Sequence, residues 1–265
     1  MKIGFIGAGN MGSALAKAAV KAEDTKVFVY DKDTEKANAV AKEICAEYAD
    51  GKRIAKECDL IFLAVKPNII GIAIEEMKGE LAGRRDATIV SMAAGISVAK
   101  IEGFLGEIKL PVIRIMPNTP ASIGKGMILW CANDKVCEKK KKNFLTALDK
   151  AGMLDEIDES KIDAASAVSG CGPAFVYMFI EALADGGVKC GLSREQAQRY
   201  AAETVMGAAM MVKESGRHPG ELKDAVCSPG GTTIEGVSAL EKGAFRASAA
   251  SAVTAAYEKT LKLGK

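Results

Sequence analysis

The chain has 265 residues, more than most single cores hold, and the length fits two domains of ordinary size. Lys and Arg total 36 against 34 Asp and Glu, and the resulting charge of +2 is too small a field to seat a nucleic-acid backbone or an anionic membrane, so a small-molecule partner is expected. Seven cysteines without a C-x-x-C pair and a single histidine, His218, argue against a zinc site and a disulfide framework and point to reduced thiols in the cytoplasm.

The chain opens on a strand, Met1-Lys2-Ile3-Gly4-Phe5-Ile6, where an export signal would need a basic and then an apolar region, so a cytoplasmic location is expected. The longest uncharged stretch, residues 164–180, contains Gly170, Gly172 and Pro173 and falls short of the roughly 20 apolar residues that span a bilayer. No membrane partner is expected. Residues 1–157 alternate short β-branched runs with amphipathic helical stretches, the pattern of an α/β doubly wound sheet, mostly parallel. Strands are predicted near residues 2–6, 26–30, 60–65, 88–92 and 112–115, with a further pair near 127–131 and 154–157.

From residue 158 the β-branched runs vanish, Ala and Met rise, and residues 158–265 read as an all-helical domain. Pro173 suits a first helical turn, and Gly186-Gly187 mark a place where a helix weakens or stops. Ser193 with Gln196 forms a capping box, closed by Gly216 beyond the helix end, and Thr232 with Glu235 predicts a second box whose helix ends at Gly243. Residues 174–183 are apolar nearly all round apart from Glu181, as expected of a helix buried between subunits or in a large core. The basic run at residues 138–142 reads as a solvated helix start, and His218 before Pro219 as a helix-entry turn.

The first chemical motif is Gly7-Ala8-Gly9-Asn10-Met11-Gly12, which leaves the opening strand and leads into a helix. Gly7 permits a tight turn, Gly9 lets backbone approach a pyrophosphate, and Gly12 lets helix and strand pack closely, with the helix N-terminus facing the negative charge. A nicotinamide dinucleotide is the implied ligand. Asp31, at the end of the second strand, is placed to accept the adenosine ribose hydroxyls and repel a 2′-phosphate, which favours NADH unless Lys32 beside it attracts that phosphate instead; the alternative reading of Asp31 is a helix cap for the stretch beginning near Thr34.

Ala64-Val65-Lys66-Pro67 and Ala93-Ala94-Gly95 leave the same C-terminal sheet edge, where small residues let ribose and nicotinamide lie against backbone. Lys66 is a candidate to hydrogen-bond ribose or polarise a substrate group, or is a plain surface lysine. Asn118, in Met116-Pro117-Asn118-Thr119-Pro120, is a candidate for a nicotinamide or substrate contact, or a turn-former. In the helical half, Ser228-Pro229-Gly230-Gly231-Thr232-Thr233 sets hydroxyls and unencumbered N–H groups at a helix start, which suits a carboxylate or serves as a cap. The turn Ser169-Gly170-Cys171-Gly172-Pro173 is a candidate to close over the same ligand.

These segments together resemble the pyrroline-5-carboxylate reductases, and the match runs the whole chain. It is carried by GAGNMG, AVKP, AAG, MPNTP, SGCGPA and most specifically by HPGELKDAVCSPGGTTIEGVSALE at residues 218–241. Cys171 stands where the family often has Ser. The resemblance implies a Rossmann domain, a helical dimerisation domain, a homodimer assembled into a larger homo-oligomer, and an active site completed by the partner's helices. It implies NAD(P)H contacts at Ile6, Gly7, Ala8, Gly9, Asn10, Met11, Ala64, Val65, Lys66, Pro67, Ala93, Ala94 and Gly95, and substrate contacts at Glu159, Thr232 and Thr233.

The implied reaction adds hydride to the cyclic imine of 1-pyrroline-5-carboxylate, giving L-proline. The residues 228–233, with Gly230 and Gly231, are expected to hold the carboxylate, Thr233 to hydrogen-bond the ring nitrogen and Ser228 to assist. Positioning would supply most of the rate. Two rival readings are a β-hydroxyacid dehydrogenase, which such enzymes mark by a lysine on the helix here reading residues 174–179 without one, and a non-catalytic NAD(P)H-sensing dimer, against which the intact 228–233 turn argues.

Overall fold

A computed structural model describes residues 1–263. Its eight strands are β1 (Lys2–Ile6), β2 (Lys26–Tyr30), β3 (Glu47–Tyr48), β4 (Leu60–Leu63), β5 (Thr88–Ser91), β6 (Val112–Met116), β7 (Gly126–Ala132) and β8 (Gly152–Glu156). They form one sheet in the order β3-β2-β1-β4-β5-β6-β7-β8. Every pair is parallel except β6 with β7. Helices α1 (Asn10–Ala19), α2 (Thr34–Glu43), α3 (Gly51–Glu57), α4 (Ile70–Leu81), α5 (Val98–Leu105), α6 (Glu138–Leu148) and α7 (Glu159–Ser169) fill the intervals and follow the last strand. The expected doubly wound, mostly parallel α/β sheet is observed, and the one strand missed was the two-residue β3.

Alternation along the strands divides the apolar residues between two faces. Ile6, Ile61, Leu63, Ile89 and Val112 meet Ile54 of α3, Ile74 of α4, Ile101 of α5 and Ile162 of α7 on one side. Ile3, Phe5, Phe62, Val90 and Ile113 meet Leu15 of α1 and Phe144 of α6 on the other. Strands buried on both faces are what an all-helix-covered parallel sheet requires. Phe5 and Phe62 stack at 4.5 Å between centroids, tying adjacent strands on one face.

The remaining helices are α8 (Gly172–Lys189), α9 (Arg194–Ser215), α10 (Pro219–Ala225), α11 (Thr232–Lys242) and α12 (Phe245–Leu263). The Ser193 and Gln196 capping box forms as the spacing predicts, and Gly216 ends α9 in the left-handed region at φ 64°. His218 caps α10 by accepting the Gly220 N–H at Nδ1. The second expected box does not form. Gly231 is the cap of α11 without a side-chain bond, and Thr232 is already its first helical residue. Gly186 and Gly187 do not stop α8, which runs on to Lys189.

The chain divides into two compact units, Met1–Cys171 with the chain end from Ala256, and Gly172–Ala255. The division falls one helix later than the change in sequence character at residues 157 and 158, because α7 sinks Ile162 into the sheet core and pairs its carboxylates with β6. By length and composition alone, Glu159–Lys189 is apolar enough to cross a bilayer. A helix apolar all round has two uses, packing against protein or against lipid.

Candidate dinucleotide and anion sites

β1 lies where the strand order reverses, between β2 and β4, so the loops after β1 and β4 splay apart and leave a crevice at the sheet's C-terminal edge. The glycine turn occupies this point. Gly7 has φ 111°, and a Cβ there would lie 2.4 Å from the Ala64 carbonyl oxygen. A Cβ on Gly12 would meet the Gly7 carbonyl oxygen at 2.3 Å, so α1 packs against the turn only because that atom is missing. Gly9 is different: its Cβ would meet nothing within 4 Å. Its smallness serves no contact within the described residues, which suits close approach by a ligand. No side chain caps α1 at Gly9 and its first turn carries no acidic residue, so the amides of that turn are left for a ligand. A pyrophosphate fits this cradle.

A cleft of about 320 Å³ runs beside the turn, lined by Gly7, Gly9, Asp31, Lys32, Ala64 and Lys66 among others. An adjoining cleft of about 530 Å³ shares Ile6, Tyr30, Ala73 and Glu76 with it and adds Asp50, Lys52 and Met77. Burial, followed by the charge of Glu76, pushes the Tyr30 phenol up from its ordinary value, so the hydroxyl stays protonated there.

Asp31 makes two hydrogen bonds within the protein. Its Oδ2 accepts the Ala8 N–H at 2.7 Å and its Oδ1 accepts the Asp33 N–H at 3.1 Å, tying the end of β2 to the glycine turn. The helix cap that sequence offered to Asp31 belongs instead to Asp33, which accepts from Lys36 N. Lys32 reaches Glu76 at 3.9 Å. Thus the part of the cleft beside β2 mixes the carboxylates of Asp31 and Glu76 with Lys32 and Lys36.

Among the other expected contact residues, Ala64, Val65 and Lys66 line the cleft while Pro67 opens the 3-10 turn Pro67–Ile69. The Ala93-Ala94-Gly95 loop follows β5, which runs parallel to β4, so it emerges at the same sheet edge but outside that lining. Asn118 is buried, and its carboxamide donates to Ser169 O at 2.8 Å and accepts the Met127 N–H at 2.9 Å. Both ends of that side chain hold protein, joining the loop after β6 to β7 and to the end of α7. Glu159 likewise binds protein: Oε1 accepts the Val98 N–H at 2.7 Å and pairs with Arg114 at 3.3 Å. Sequence reasoning missed Arg114, a buried cation inside an apolar strand; its only signal was a lone charge in Val112–Met116.

In the helical unit the 228–233 turn is exposed at Ser228, Gly230, Thr232 and Thr233. Gly230 takes φ 66°, and the Gly231 N–H donates to Ser228 O at 3.0 Å, so that amide is committed within the turn. A Cβ on Gly231 would lie 2.3 Å from Ser228 Oγ, so a larger residue there would turn that hydroxyl aside. What remains presented is an uncapped α11 N-terminus with Thr232 and Thr233 in its first turn, a donor set of the kind that suits an anion.

Comparison with known proteins agrees with both halves. Residues 159–263 match the family described as pyrroline-5-carboxylate reductase dimerisation, and residues 2–95 match NADP oxidoreductase coenzyme F420-dependent. The chain is 41% identical to the pyrroline-5-carboxylate reductase of Escherichia coli strain K12, over all of this chain and 98% of that one. It is 37% identical to the enzyme of Arabidopsis thaliana, over all of this chain and 96% of that one. The crystal structure of Plasmodium falciparum pyrroline carboxylate reductase with NADP bound superposes with a TM-score of 0.89 at 38% identity, covering all of this chain and 98% of that chain. By the length and level of this similarity, the chain belongs to the pyrroline-5-carboxylate reductase family.

Proposed function

We propose that the protein reduces the cyclic imine of 1-pyrroline-5-carboxylate to L-proline at the expense of NAD(P)H, as an enzyme of proline biosynthesis. The observation that carries the reading is that one chain holds both a pyrophosphate cradle at residues 7–12 and an uncapped, hydroxyl-flanked helix start at residues 228–233. A bound NAD(P)H supplies the hydride. The chain's part is to seat the pyrophosphate on the α1 N-terminus and the substrate carboxylate on the α11 N-terminus, using the Thr232 amide and hydroxyls of Thr232 and Ser228. Thr233 is assigned to hydrogen-bond the ring nitrogen as it gains its proton. Lys66, lining the cleft, is assigned to the ribose and nicotinamide half. No histidine or covalent nucleophile is needed when the imine arrives protonated, and orientation supplies the rate.

Two finer points belong to the same reading. Asp31 and Glu76 put negative charge at the adenosine end, which supports a lean toward NADH against the pull of Lys32 and Lys36. The apolar side chains that α8 leaves exposed, Val176, Tyr177 and Met178, support a homodimer built on this helix, assembled further into a larger oligomer, with protein rather than lipid as the partner surface. A cytoplasmic location without nucleic-acid partners completes the reading.

The test is a spectrophotometric assay of NADH and NADPH oxidation with 1-pyrroline-5-carboxylate, run on wild type and Thr233→Ala. The variant is expected to lose roughly tenfold or more in kcat with unchanged NADH binding. Wild-type turnover in Thr233→Ala removes that residue from the chemistry, and an inactive wild type removes the proposed reaction. Asp31→Ser should raise the NADPH to NADH ratio of kcat/KM; an unchanged ratio ends the assigned discrimination.

A further inference from the structure

Arg114 is the one charged side chain among the described residues that is fully buried. It sits on β6 facing α7, where Nη1 meets Glu159 Oε1 at 3.3 Å and Nη2 meets Asp163 Oδ1, two carboxylates one helical turn apart. Among the described residues nothing accepts from its Nε, so the guanidinium is held by its far end alone. Only the Arg114 end of this cluster is buried: the side chains of Glu159 and Asp163 remain 36% and 23% exposed, and an ion pair that water reaches is a modest stabiliser. That leaves the question of what else the cluster does.

The answer lies in what Glu159 touches besides Arg114. The same Oε1 accepts the N–H of Val98, the first residue of α5, at 2.7 Å. Ser97 Oγ accepts the Lys100 N–H, so α5 receives two caps, one local and one from 61 residues away. Gly95, at φ 73°, lies just before this helix and ends the Ala93-Ala94-Gly95 loop. At its other end α7 is fastened by Asn118, which donates to Ser169 O. Helix α7 is thus pinned to two loops that leave the same edge of the sheet as the glycine turn.

Resting on the dinucleotide reading above, we infer that Glu159, oriented by Arg114, is a positioning residue that sets the 93–95 loop for the nicotinamide half of the cofactor without touching cofactor or substrate. Such a residue acts on one end of the ligand only. The adenosine end depends on β1, β2 and the glycine turn, whereas the polar partners of Glu159 among the described residues are Val98 and Arg114.

Two probes separate these ends: NAD(P)H, and ADP-ribose, which lacks nicotinamide. Titrated against the full-length protein, Glu159→Ala is expected to weaken NAD(P)H by about tenfold while ADP-ribose changes by no more than about twofold. Glu159→Gln keeps an acceptor at the same reach and should restore the wild-type ratio. Glu159→Asp keeps the charge but withdraws the acceptor from Val98, and it should shift the ratio as Ala does, which also serves if the Ala variant fails to fold. Equal weakening of both probes in Ala or Asp, or no change in either, overturns the inference while leaving the dinucleotide reading intact. A wild type that binds neither probe overturns that reading and the inference together.

Discussion

The sheet unit and the helical unit solve the burial problem in opposite ways. Around the sheet, two apolar clusters fill both faces and the residues of the central strands β4, β5 and β6 are sealed from solvent. In Gly172–Ala255, the buried residues are three alanines, Ala184, Ala197 and Ala201, while Met178 is 70% exposed. A cleft of about 560 Å³ lined by Phe175, Val176, Phe179, Leu183, Leu240 and Phe245 adds to this open apolar surface. The first unit has a core of its own; the second has the surface of half a core, which is what an obligate interface looks like when cut open.

That contrast breaks first at Met178. Met178→Glu would carry a charge into the proposed subunit contact, at a cost of about 3–5 kcal/mol, a loss of affinity of more than roughly a hundredfold. Sedimentation velocity should find monomer where wild type associates, and an unchanged assembly would place the contact elsewhere.

The next largest effect sharpens the comparison inside the sheet unit. Gly12→Ala puts a methyl into the Gly7 carbonyl and the Ala64 side chain and should destabilise the fold by about 1–3 kcal/mol. Gly9→Ala meets open space, so thermal melting should match wild type while dinucleotide affinity drops. If both variants melt alike, the two glycines do not divide the work between packing and ligand approach.

Titration gives smaller, signed effects. Burial pushes the thiols of Cys58 and Cys131 up to about 12 from an ordinary value of 9.0. The unfolded chain loses these protons first, so their contribution is whole below pH 9 and falls as pH rises toward 12. Denaturant unfolding across that interval should show the decline, reduced in Cys58→Ala.

The smallest change lies on the acid side. Hydrogen bonds from Lys2 and then Arg53 hold Glu57 down to about 2 from 4.5, and the Arg84 guanidinium holds Asp86 down to about 2 from 3.8. Their contribution is present above pH 4.5 and is lost as pH falls through about 2. Both are surface pairs, so raising salt should shrink the slope, and a salt-independent slope would exclude them as its source.

What the sequence made legible follows from distance along the chain. The glycine turn, its strand and its helix are contiguous, so local spacing carried them. The Ser193 and Gln196 box could be read for the same reason. Thr232 and Glu235 show the same spacing without forming a box, because Gly230 at positive φ and the Gly231 bond to Ser228 start the helix one residue earlier. Glu159 and Asn118 were legible as polar residues with a purpose, but their partners Val98, Arg114 and Ser169 lie 45 to 61 residues away. No local pattern announces such pairings. β3, two residues long, left no periodicity to read.

Purified protein given 1-pyrroline-5-carboxylate and NADH or NADPH should form L-proline in one-to-one proportion to nucleotide oxidised, and Thr233→Ala should slow both equally while binding the nucleotide as wild type does. Nucleotide bound without proline formed would contradict the account, leaving a dinucleotide-binding dimer whose 228–233 turn serves some other anion.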